Sequence, residues 1–432
     1  MVHGGGSDVR AGAARNDLPR RTVALVGAGS RGLGMFLKPL VEDFNDVVSV
    51  TALCDNNRKR AAGVAARAGV EIPVYGDFDE MLSAIDPDGV IVASRDCTHG
   101  TFITRALAAD KFVFCEKPIC TTVEDCHAIR AAEKRSTARC LATHNMRYGA
   151  SSQAIHEIIH SGRLGDVFFI RFEETLDRCH GADYFRRWHR RMSESGGLLI
   201  HKASHHFDIL NWWTGSRAAM VSAMGRLAFY GSNGPFRHQR CLGCPHAAEC
   251  DFYWDLPRSK ESAFLYLEAE TEDGYFRDGC VFDPKIDIYD QMNAVIEYDN
   301  GIHVSYSLTA YSPYESETVI VEGSKGRLEY RGCYDTGWAS GGQALPGIEQ
   351  MAGDRLTLYL AGKGVETIPV KRGKGSHGGS DLKLREDFFR RDWTLPPNDR
   401  MATLEDAVQA VLVGAAANRS IETGQPVRVQ EL

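Results

Sequence analysis

The sequence predicts an α/β protein with two sheets: a doubly wound parallel sheet first, then a large, mostly antiparallel open sheet. Two observations predict this class. From residue 22, short apolar runs alternate with helix-compatible stretches of ten or more residues, as in repeated βαβ units. After about residue 149 the apolar runs lengthen and alternate with polar residues, which is typical of antiparallel strands. The length of 432 residues also favours two domains.

The elements follow in chain order. Parallel strands are predicted in TVALVGAGSRG (22–32), VSVTALCD (48–55), GVIVAS (89–94), KFVFCEKP (111–118) and ARCLATHN (138–145). Antiparallel strands are predicted in DVFFIRFEETL (166–176), MNAVIEYDNGIHVSYSL (292–308) and ETVIVEGSKGRLEYRG (317–332). Asp299, Asn300 and Gly301 predict a hairpin turn. An Ala-rich helix is expected over 404–424, packed on either sheet. We therefore expect a tail over 1–20, a nucleotide-binding domain over 21–149 and a substrate-binding and oligomerisation domain over 150–432.

Composition narrows the classes of function. The net charge of −7 lacks the basic excess of nucleic-acid-binding proteins, so we expect no nucleic-acid partner. No apolar run is long enough to span a bilayer, and the first twenty residues lack the apolar core of a signal peptide. Most of the twelve cysteines stand singly within apolar segments, where a free thiol acts as a small hydrophobe. A cytoplasmic, reducing location is the expectation.

Gly27, Gly29 and Gly32 form a GxGxxG pattern between an apolar strand and a helix. In that context they allow a tight turn, backbone contact with a pyrophosphate and close helix packing, while the helix N-terminus offers N–H groups. Ser30 and Arg31 lie within the same turn. Asp55 ends the next strand, where an acid binds the adenosine ribose hydroxyls. NAD is therefore favoured over NADP as the cofactor.

Glu116, Lys117 and Pro118 end a further strand at the carboxyl edge, where open α/β sheets bind ligands. A lysine there can stabilise a substrate oxygen that gains charge. A surface lysine is the alternative.

Together with these motifs, HNMRY (144–148), GRLGDV (162–167) and the GG…H…HxxD block (196–208) make the chain resemble the Gfo/Idh/MocA oxidoreductases over nearly its whole length. The resemblance implies an N-terminal Rossmann domain, a C-terminal α/β domain, a nicotinamide cofactor and oxidation of a secondary alcohol on a sugar or cyclitol. It also implies the following roles: Ser94, Thr98, His99, Glu116 and Asn145 at the cofactor, Lys117 in catalysis, and Arg147 and Arg190 at the substrate.

The histidine block departs from the family pattern. His201 stands where the family usually has an aspartate, His205 keeps the proton-transfer position, and Asp208 follows at i+7 on the same predicted helical face. A single substrate could meet His201 and His205, so both are catalytic candidates. The change removes the carboxylate that would support the base. Lys202 and His206 adjoin this face as substrate candidates, and a structural role for His206 is the alternative. Zinc at His201 and His205 is disfavoured, because the HExxH glutamate is absent.

Upstream, Tyr184 and Trp188 with Arg186 and Arg187 suit a sugar pocket. His377 and Asp381 lie in a Gly-rich loop that either closes over substrate or caps a helix. A separate cluster of Cys241, Cys244 and Cys250, closed by Cys280 or His246, predicts a structural zinc site. The alternatives are an iron–sulfur cluster, which is less favoured, and an insertion with free thiols.

The sequence thus predicts an NAD-dependent oxidoreductase of a carbohydrate or cyclitol hydroxyl, with Lys117 and His205 handling the proton. A redox-neutral, NAD-dependent glycosidase is the alternative, because transient oxidation and elimination use additional bases. A sensor without turnover is a third class, disfavoured by the retention of Lys117 and His205. The expected partners are a small carbohydrate and further copies of the chain in a homodimer or homotetramer.

Overall fold

The structure is a computed structural model that describes residues 19–334, 345 and 347–432. Of the predicted tail over 1–20, residues 1–18 lie outside the described residues. Within the described part, no helix is both long enough and apolar enough to cross a membrane.

The first sheet is doubly wound, and six of its seven strands are parallel. Its strands are β1 (Arg21–Val26), β2 (Val48–Cys54), β3 (Val74–Tyr75), β4 (Gly89–Val92), β5 (Phe112–Cys115), β6 (Cys140–Ala142) and β15 (Ala402–Thr403). Its helices are α1 (Lys38–Asp43, after a π-helical turn at Gly32–Leu37), α2 (Arg58–Arg67), α3 (Phe78–Ile85), α4 (Asp96–Ala108) and α5 (Val123–Glu133). The strand order is β15-β6-β5-β4-β1-β2-β3. From β1 the chain first builds the sheet outward through β2 and β3, and then crosses to the other side of β1 to add β4, β5 and β6. Open α/β sheets bind ligands at such a switch point, and the predicted fold of this part is confirmed.

The second sheet has nine strands in the described part. They are β7 (Val167–Asp177), β8 (Ala218–Arg226), β9 (Gln291–Tyr298), β10 (His303–Ser312), β11 (Glu315–Gly323), β12 (Gly326–Tyr334), β13 (Gly353–Leu360), β14 (Gly364–Ile368) and β16 (Val427–Arg428). Their order is β14-β13-β12-β11-β7-β10-β9-β8-β16, and every neighbouring pair except β7 and β10 is antiparallel. The predicted hairpin turn joins β9 to β10, with Gly301 at φ +83°. The mostly antiparallel sheet is therefore confirmed.

The remaining helices follow β6 in the chain. They are α6 (Ala150–His160), α7 (Arg178–Arg186), α8 (Met192–Ser195), α9 (Leu198–His201), α10 (Ser204–Thr214), α11 (Lys260–Ser262), α12 (Glu270–Asp273), α13 (Ser380–Phe389) and α14 (Leu404–Thr423). Short 3₁₀ or π turns occupy Asn145–Tyr148, Trp188–Arg190, Gly231–Asn233, Leu256–Arg258, Ala263–Leu267, Ile348–Gln350, Ser376–Gly379 and Val429–Glu431.

The predicted C-terminal helix, α14, begins at a capping box formed by Thr403 and Asp406 and ends at Gly424, where φ is +68°. It contacts both parts of the protein. Glu405 binds Arg130 of α5, and the backbone N–H of Ala223 on β8 donates to the Ser420 hydroxyl.

Two helices of the second part help to position the site. In α14, a Cβ at Gly414 would lie 2.3 Å from the carbonyl oxygen of Leu199 in α9, so only glycine permits this approach. In α13, Phe388 and Phe389 pack on Phe114 of the first sheet, with ring centroids 5.4 and 5.0 Å away. The two parts are therefore held together beside their shared cavity.

Candidate active site

A cavity of about 1430 Å³ lies between the carboxyl ends of the first sheet and one face of the second sheet. The first sheet contributes residues that directly follow β1, β2, β4 and β5, and the second contributes side chains of β7 and β11. Sites for drug-sized ligands commonly measure about 300–1,000 Å³. The cavity therefore has room for a cofactor and a small substrate together.

The turn after β1 depends on its glycines. Gly27 has φ +98°, and a Cβ there would lie 2.4 Å from the carbonyl oxygen of Ala93. A Cβ at Gly32 would lie 2.1 Å from the carbonyl oxygen of Gly27. Gly29 instead faces the cavity, and the nearest described atom to its Cβ position is the Tyr266 hydroxyl at 4.0 Å. The turn leaves an open backbone cradle at a helix N-terminus, which fits a pyrophosphate.

Asp55 lies beside this cradle, directly after β2. Its carboxylate accepts hydrogen bonds from the backbone N–H groups of Ala28 (2.7 Å) and Asn57 (2.8 Å). Arg60 lies between two carboxylates, 3.6 Å from Asp55 and 2.6 Å from Asp273. Burial raises the pKa of Asp55, against the opposing effect of the two N–H groups and Arg60. The geometry fits an acid that binds ribose hydroxyls.

Sequence reasoning missed a segment over this nucleotide half of the cavity, residues 263–275. The Tyr266 hydroxyl accepts a hydrogen bond from the backbone N–H of Ser30 at 3.2 Å, within the glycine turn. The carbonyl of Leu265 accepts one from Arg60 at 2.9 Å. These contacts join residues 236 and 205 positions apart in the chain, so no local pattern signals them.

The loop after β4 meets the end of β5. The hydroxyls of Ser94 and Thr98 are 2.8 Å apart. The His99 ring lies between the carbonyls of Pro118 (Nδ1, 2.8 Å) and Ser94 (Nε2, 3.2 Å), and the Lys117–Pro118 peptide is cis. His99 thus ties the loop to the strand end that carries Lys117.

Arg31, within the glycine turn after β1, connects this turn with α13. Its Nε lies 2.8 Å from Glu116 and its Nη1 3.5 Å from Asp381. Asn145 donates to the same Asp381 carboxylate at 2.7 Å. All four residues line the cavity.

The Gly-rich loop at 376–381 borders this network. His377 Nδ1 lies 2.8 Å from Asp381, and both residues line the cavity. This loop also precedes α13 directly, with Gly379 as the N-cap residue and without a side-chain cap, so the helix-cap alternative stays beside the cavity-lining one.

Lys117 reaches from the end of β5 toward the second sheet. Its Nζ donates a hydrogen bond to the carbonyl oxygen of His201 at 3.0 Å. Burial lowers the pKa of Lys117 to about 8, helped by the charge of Lys202 and opposed by Asp96. A proton on this amine is therefore exchangeable near neutral pH.

The predicted histidine helix is divided in two. α9 ends at His201 and α10 begins at Ser204. His201 and His205 still line the cavity, whereas Asp208 is fully buried and binds Arg147 through two hydrogen bonds of 2.8 and 2.7 Å. Burial lowers the pKa of both histidines well below the usual range. Both rings are therefore neutral at pH 7.

The sequence predicts that His205 lacks a supporting carboxylate, and no carboxylate contacts His205 in the described part of the chain. A carboxylate that the sequence did not predict contacts His201 instead. Asp96, the first residue of α4, lies 2.5 Å from Nδ1 of His201. With His189 they form the only group of three metal-ligating side chains in the described part whose ligand atoms lie within 4.8 Å of one another. The charges of Lys117 and Arg187 act on Asp96 and disfavour a cation here. The sequence analysis did not identify Asp96 or His189 as site residues. The position of Asp96 after β4, at the carboxyl edge of the first sheet, could have marked it as a candidate.

Three predicted substrate residues do not line the cavity, because internal partners engage them. Arg147 is held by Asp208, as described above. Arg190 lies 3.3 Å from Asp283. His206 is fully buried, with Nε2 2.7 Å from Glu174, so the structural alternative fits it.

The substrate half of the cavity combines carboxylates with aromatic rings. Lys202 lies 2.8 Å from Glu174, and both line the cavity with Tyr184 and Trp188. Glu317 of β11 lies on the same wall, and burial together with the neighbouring charge of Glu174 raises its pKa to about 8. A wall of hydrogen-bonding carboxyl groups beside aromatic faces suits a polyhydroxyl ligand.

The predicted zinc site is not supported. Its four cysteines line a small cavity apart from the main one: Cys241, Cys244, Cys250 and Cys280. No three of the four sulfurs lie within 4.8 Å of one another. Arg186 donates instead to the Cys241 sulfur at 3.2 Å, which places a positive charge where a cation would bind.

Residues 21–144 match the family model described as oxidoreductase family, NAD-binding Rossmann fold. Residues 156–429 match the model of the same family's C-terminal alpha/beta domain. The chain therefore belongs to the Gfo/Idh/MocA family of NAD-binding oxidoreductases.

Several known proteins are similar to this chain. "Putative oxidoreductase YteT" of Bacillus subtilis is 33% identical over 95% of this chain and 98% of its own length. Inositol 2-dehydrogenase of Klebsiella pneumoniae is 36% identical over 165 residues, 38% of this chain and 46% of that protein. A levoglucosan dehydrogenase solved with NADH and L-sorbose superposes with a TM-score of 0.67 at 18% identity, covering 95% of this chain and 99% of that one. An Agrobacterium radiobacter oxidoreductase solved with NAD+, L-tartaric acid and magnesium superposes with a TM-score of 0.65 at 16% identity, covering 96% of this chain and 99% of that one.

Proposed function

We propose that this protein oxidises a secondary hydroxyl group of a sugar, sugar derivative or cyclitol with NAD. The observation that carries the proposal is one continuous cavity with two chemically distinct ends. One end is the glycine cradle and Asp55, and the other is a wall of Lys117, His201 and His205 beside the carboxylates of the second sheet. A cofactor and a hydroxylated substrate would therefore meet at the titratable side chains.

The residues present fit NAD. The open side of Gly29 admits a pyrophosphate, and Asp55 is held ready for ribose hydroxyls. Two carboxylates, Asp55 and Asp273, already engage Arg60, so a 2′-phosphate would meet negative charge there. NAD is thus favoured over NADP. When bound, the nicotinamide supplies the hydride acceptor.

The chain's own residues bind and orient the substrate. Lys117 donates a hydrogen bond to the reacting oxygen and stabilises its negative charge as the proton leaves. The neutral rings of His201 and His205 are available to accept that proton. Tyr184 and Trp188 present apolar ring faces to the C–H surfaces of a sugar. The names of two similar proteins, inositol 2-dehydrogenase and levoglucosan dehydrogenase, support this substrate class.

Redox-neutral glycoside cleavage is the second candidate, and two observations favour it. Glu317 retains its proton near neutral pH because its pKa is about 8, so it can serve as a general acid to a leaving group. The segment over residues 263–275 covers the glycine turn and favours retention of the cofactor between turnovers.

One assay separates the two candidates. Purified protein is mixed with NAD and either free sugars and cyclitols or nitrophenyl glycosides, and NADH absorbance and nitrophenol release are followed together. NADH that accumulates in proportion to substrate supports the oxidoreductase. Nitrophenol release over many turnovers without net NADH supports the glycosidase. If neither NADH nor nitrophenol appears with any compound of the panel, the proposed function is contradicted.

We also propose the domain division at residue 149, a homodimer or homotetramer, and a reducing, cytoplasmic location. The strands β7, β9 and β8 expose Phe168, Val295 and Met224, which favours self-association through the second sheet. Cys54, Cys115 and Cys140 are free thiols buried in the first sheet, which favours a reducing compartment. Light scattering after gel filtration tests the oligomer.

A further inference from the structure

We infer that Asp96 and His201 act as a carboxylate–imidazole pair, in which His201 takes the substrate's hydroxyl proton and Asp96 positions its ring. This inference rests on the proposed function, because it names the base for the same hydroxyl oxidation. The sequence predicts His205 for that role.

The two residues come from opposite sides of the cavity. Asp96 is the first residue of α4, which follows the carboxyl end of β4 in the first sheet, and His201 ends α9 in the second part of the chain. Their contact, Oδ2 to Nδ1 at 2.5 Å, spans 105 positions in the chain, and both residues are buried. A hydrogen bond at Nδ1 fixes the ring and its tautomer. Because His201 lines the cavity, Nε2 is the nitrogen left for substrate.

His205 has no such support. Its Nδ1 is buried without a hydrogen-bond partner in the described part of the chain. Its ring meets the edge of the His144 ring, 5.6 Å away, and that histidine offers no charge to stabilise an imidazolium because burial lowers its pKa. Asp208, three residues further on, is committed to Arg147. Nothing among these contacts orients the ring of His205 or balances a positive charge on it.

The position of the proton shared by the pair depends on the groups around it. The charged and titratable groups around the His201 ring are Asp96 on α4, Lys117 after β5, Tyr184 and Arg187 at the end of α7, His189 in the following turn, and Lys202 after α9. Burial holds the pKa of Asp96 well above its usual value, Lys117 and Arg187 oppose this rise, and Glu116 adds to it. As part of the inference we place the shared proton on Nδ1 of His201, where the contact of 2.5 Å and the positive charges of Lys117 and Arg187 stabilise the carboxylate of Asp96, and this leaves Nε2 as an acceptor.

The proton step is then balanced. The substrate O–H bond breaks and an N–H bond forms at Nε2 of His201, while the electron pair of the adjacent C–H bond leaves as hydride to the cofactor. The carbinol carbon becomes a carbonyl carbon, and the imidazolium is stabilised by Asp96. Lys117, bonded to the carbonyl of His201, lies close enough to hold the same oxygen. The imidazolium returns its proton to water after the product leaves.

The test compares Asp96→Asn, His201→Gln and His205→Gln, with Glu405→Gln as the matched control. Glu405 is a carboxylate outside the cavity lining, and it pairs with Arg130 rather than with a histidine. We expect Asp96→Asn and His201→Gln to lower kcat about 100-fold or more, within the range of lost acid–base catalysis, with KM changed only a few-fold. We expect the acid limb of the kcat–pH profile to move to lower pH in Asp96→Asn, because the imidazolium loses its counter-charge. Glu405→Gln should keep the wild-type profile.

A second readout needs no turnover. Proton NMR of the wild-type protein should show a strongly deshielded Nδ1 proton that is lost in Asp96→Asn and His201→Gln and kept in His205→Gln. If no substrate is oxidised but this signal behaves as expected, the pair is present and the proposed function has failed. If the signal is absent, or if His205→Gln alone abolishes kcat while Asp96→Asn stays within threefold of wild type, the inference is overturned. Loss of activity in EDTA, restored by a divalent metal, would also overturn it in favour of a metal at Asp96, His189 and His201.

Discussion

The glycine turn offers a sharp test, because two glycines two residues apart should respond oppositely to alanine. A Cβ at Gly32 would lie 2.1 Å from the carbonyl oxygen of Gly27, whereas ordinary contact begins at 3.4 Å. The helix and the turn must therefore separate by about 1 Å. Overpacking of this kind costs about 1–3 kcal/mol. At Gly34 nothing lies within 4 Å of the Cβ position, so alanine there should stabilise the helix by about 0.5–1 kcal/mol.

The assay has two parts. Thermal unfolding without nucleotide should show a lower Tm for Gly32→Ala and an equal or higher Tm for Gly34→Ala than for wild type. Calorimetric titration with NAD should then show affinity lowered about tenfold or more in Gly32→Ala alone, because displaced backbone N–H groups no longer face the pyrophosphate. Wild-type stability and wild-type NAD affinity in Gly32→Ala would refute the steric argument.

Three further predictions concern individual side chains. Arg147→Ala should lower the free energy of unfolding by about 3–5 kcal/mol, because it leaves the buried carboxylate of Asp208 unpaired. Urea titrations measure this change, and a loss below about 1 kcal/mol would contradict the prediction. Tyr266→Phe should release NAD several-fold faster in stopped-flow displacement, because the hydroxyl beside the Ser30 N–H is lost, and an unchanged rate would remove this residue from the cofactor site. Because the pKa of Lys117 is about 8 and the charged amine binds the reacting oxygen, kcat/KM should fall as pH rises above 8. Lys117→Gln should lose that limb, and its persistence in the variant would assign it to another group.

Much of the fold could be predicted because it is encoded locally. The apolar runs at 22–26, 48–54 and 89–92 are strands because both faces of a parallel sheet are covered, which favours continuous hydrophobic stretches. Gly301 and Gly424 mark a turn and a helix end because each requires positive φ. The spacing from His201 to Asp208 predicted one continuous helix, and this is wrong because the chain leaves the helix between His201 and Ser204. His201 and His205 nevertheless line the cavity together.

By itself, the sequence determined the two sheets, the glycine cradle with Asp55, and the placement of Lys117 at a strand end, because periodicity, turn chemistry and chain order fix these features over a few residues. Only the tertiary structure decided which polar groups meet. Asp96 contacts His201 across 105 positions and Tyr266 reaches Ser30 across 236, and each contact depends on how two sheets pack rather than on any local pattern. The same packing gave Arg147 a buried partner in Asp208 and so removed it from the substrate site. A side chain's chemical type can be read from the sequence, whereas its partner is set by the packing of distant segments.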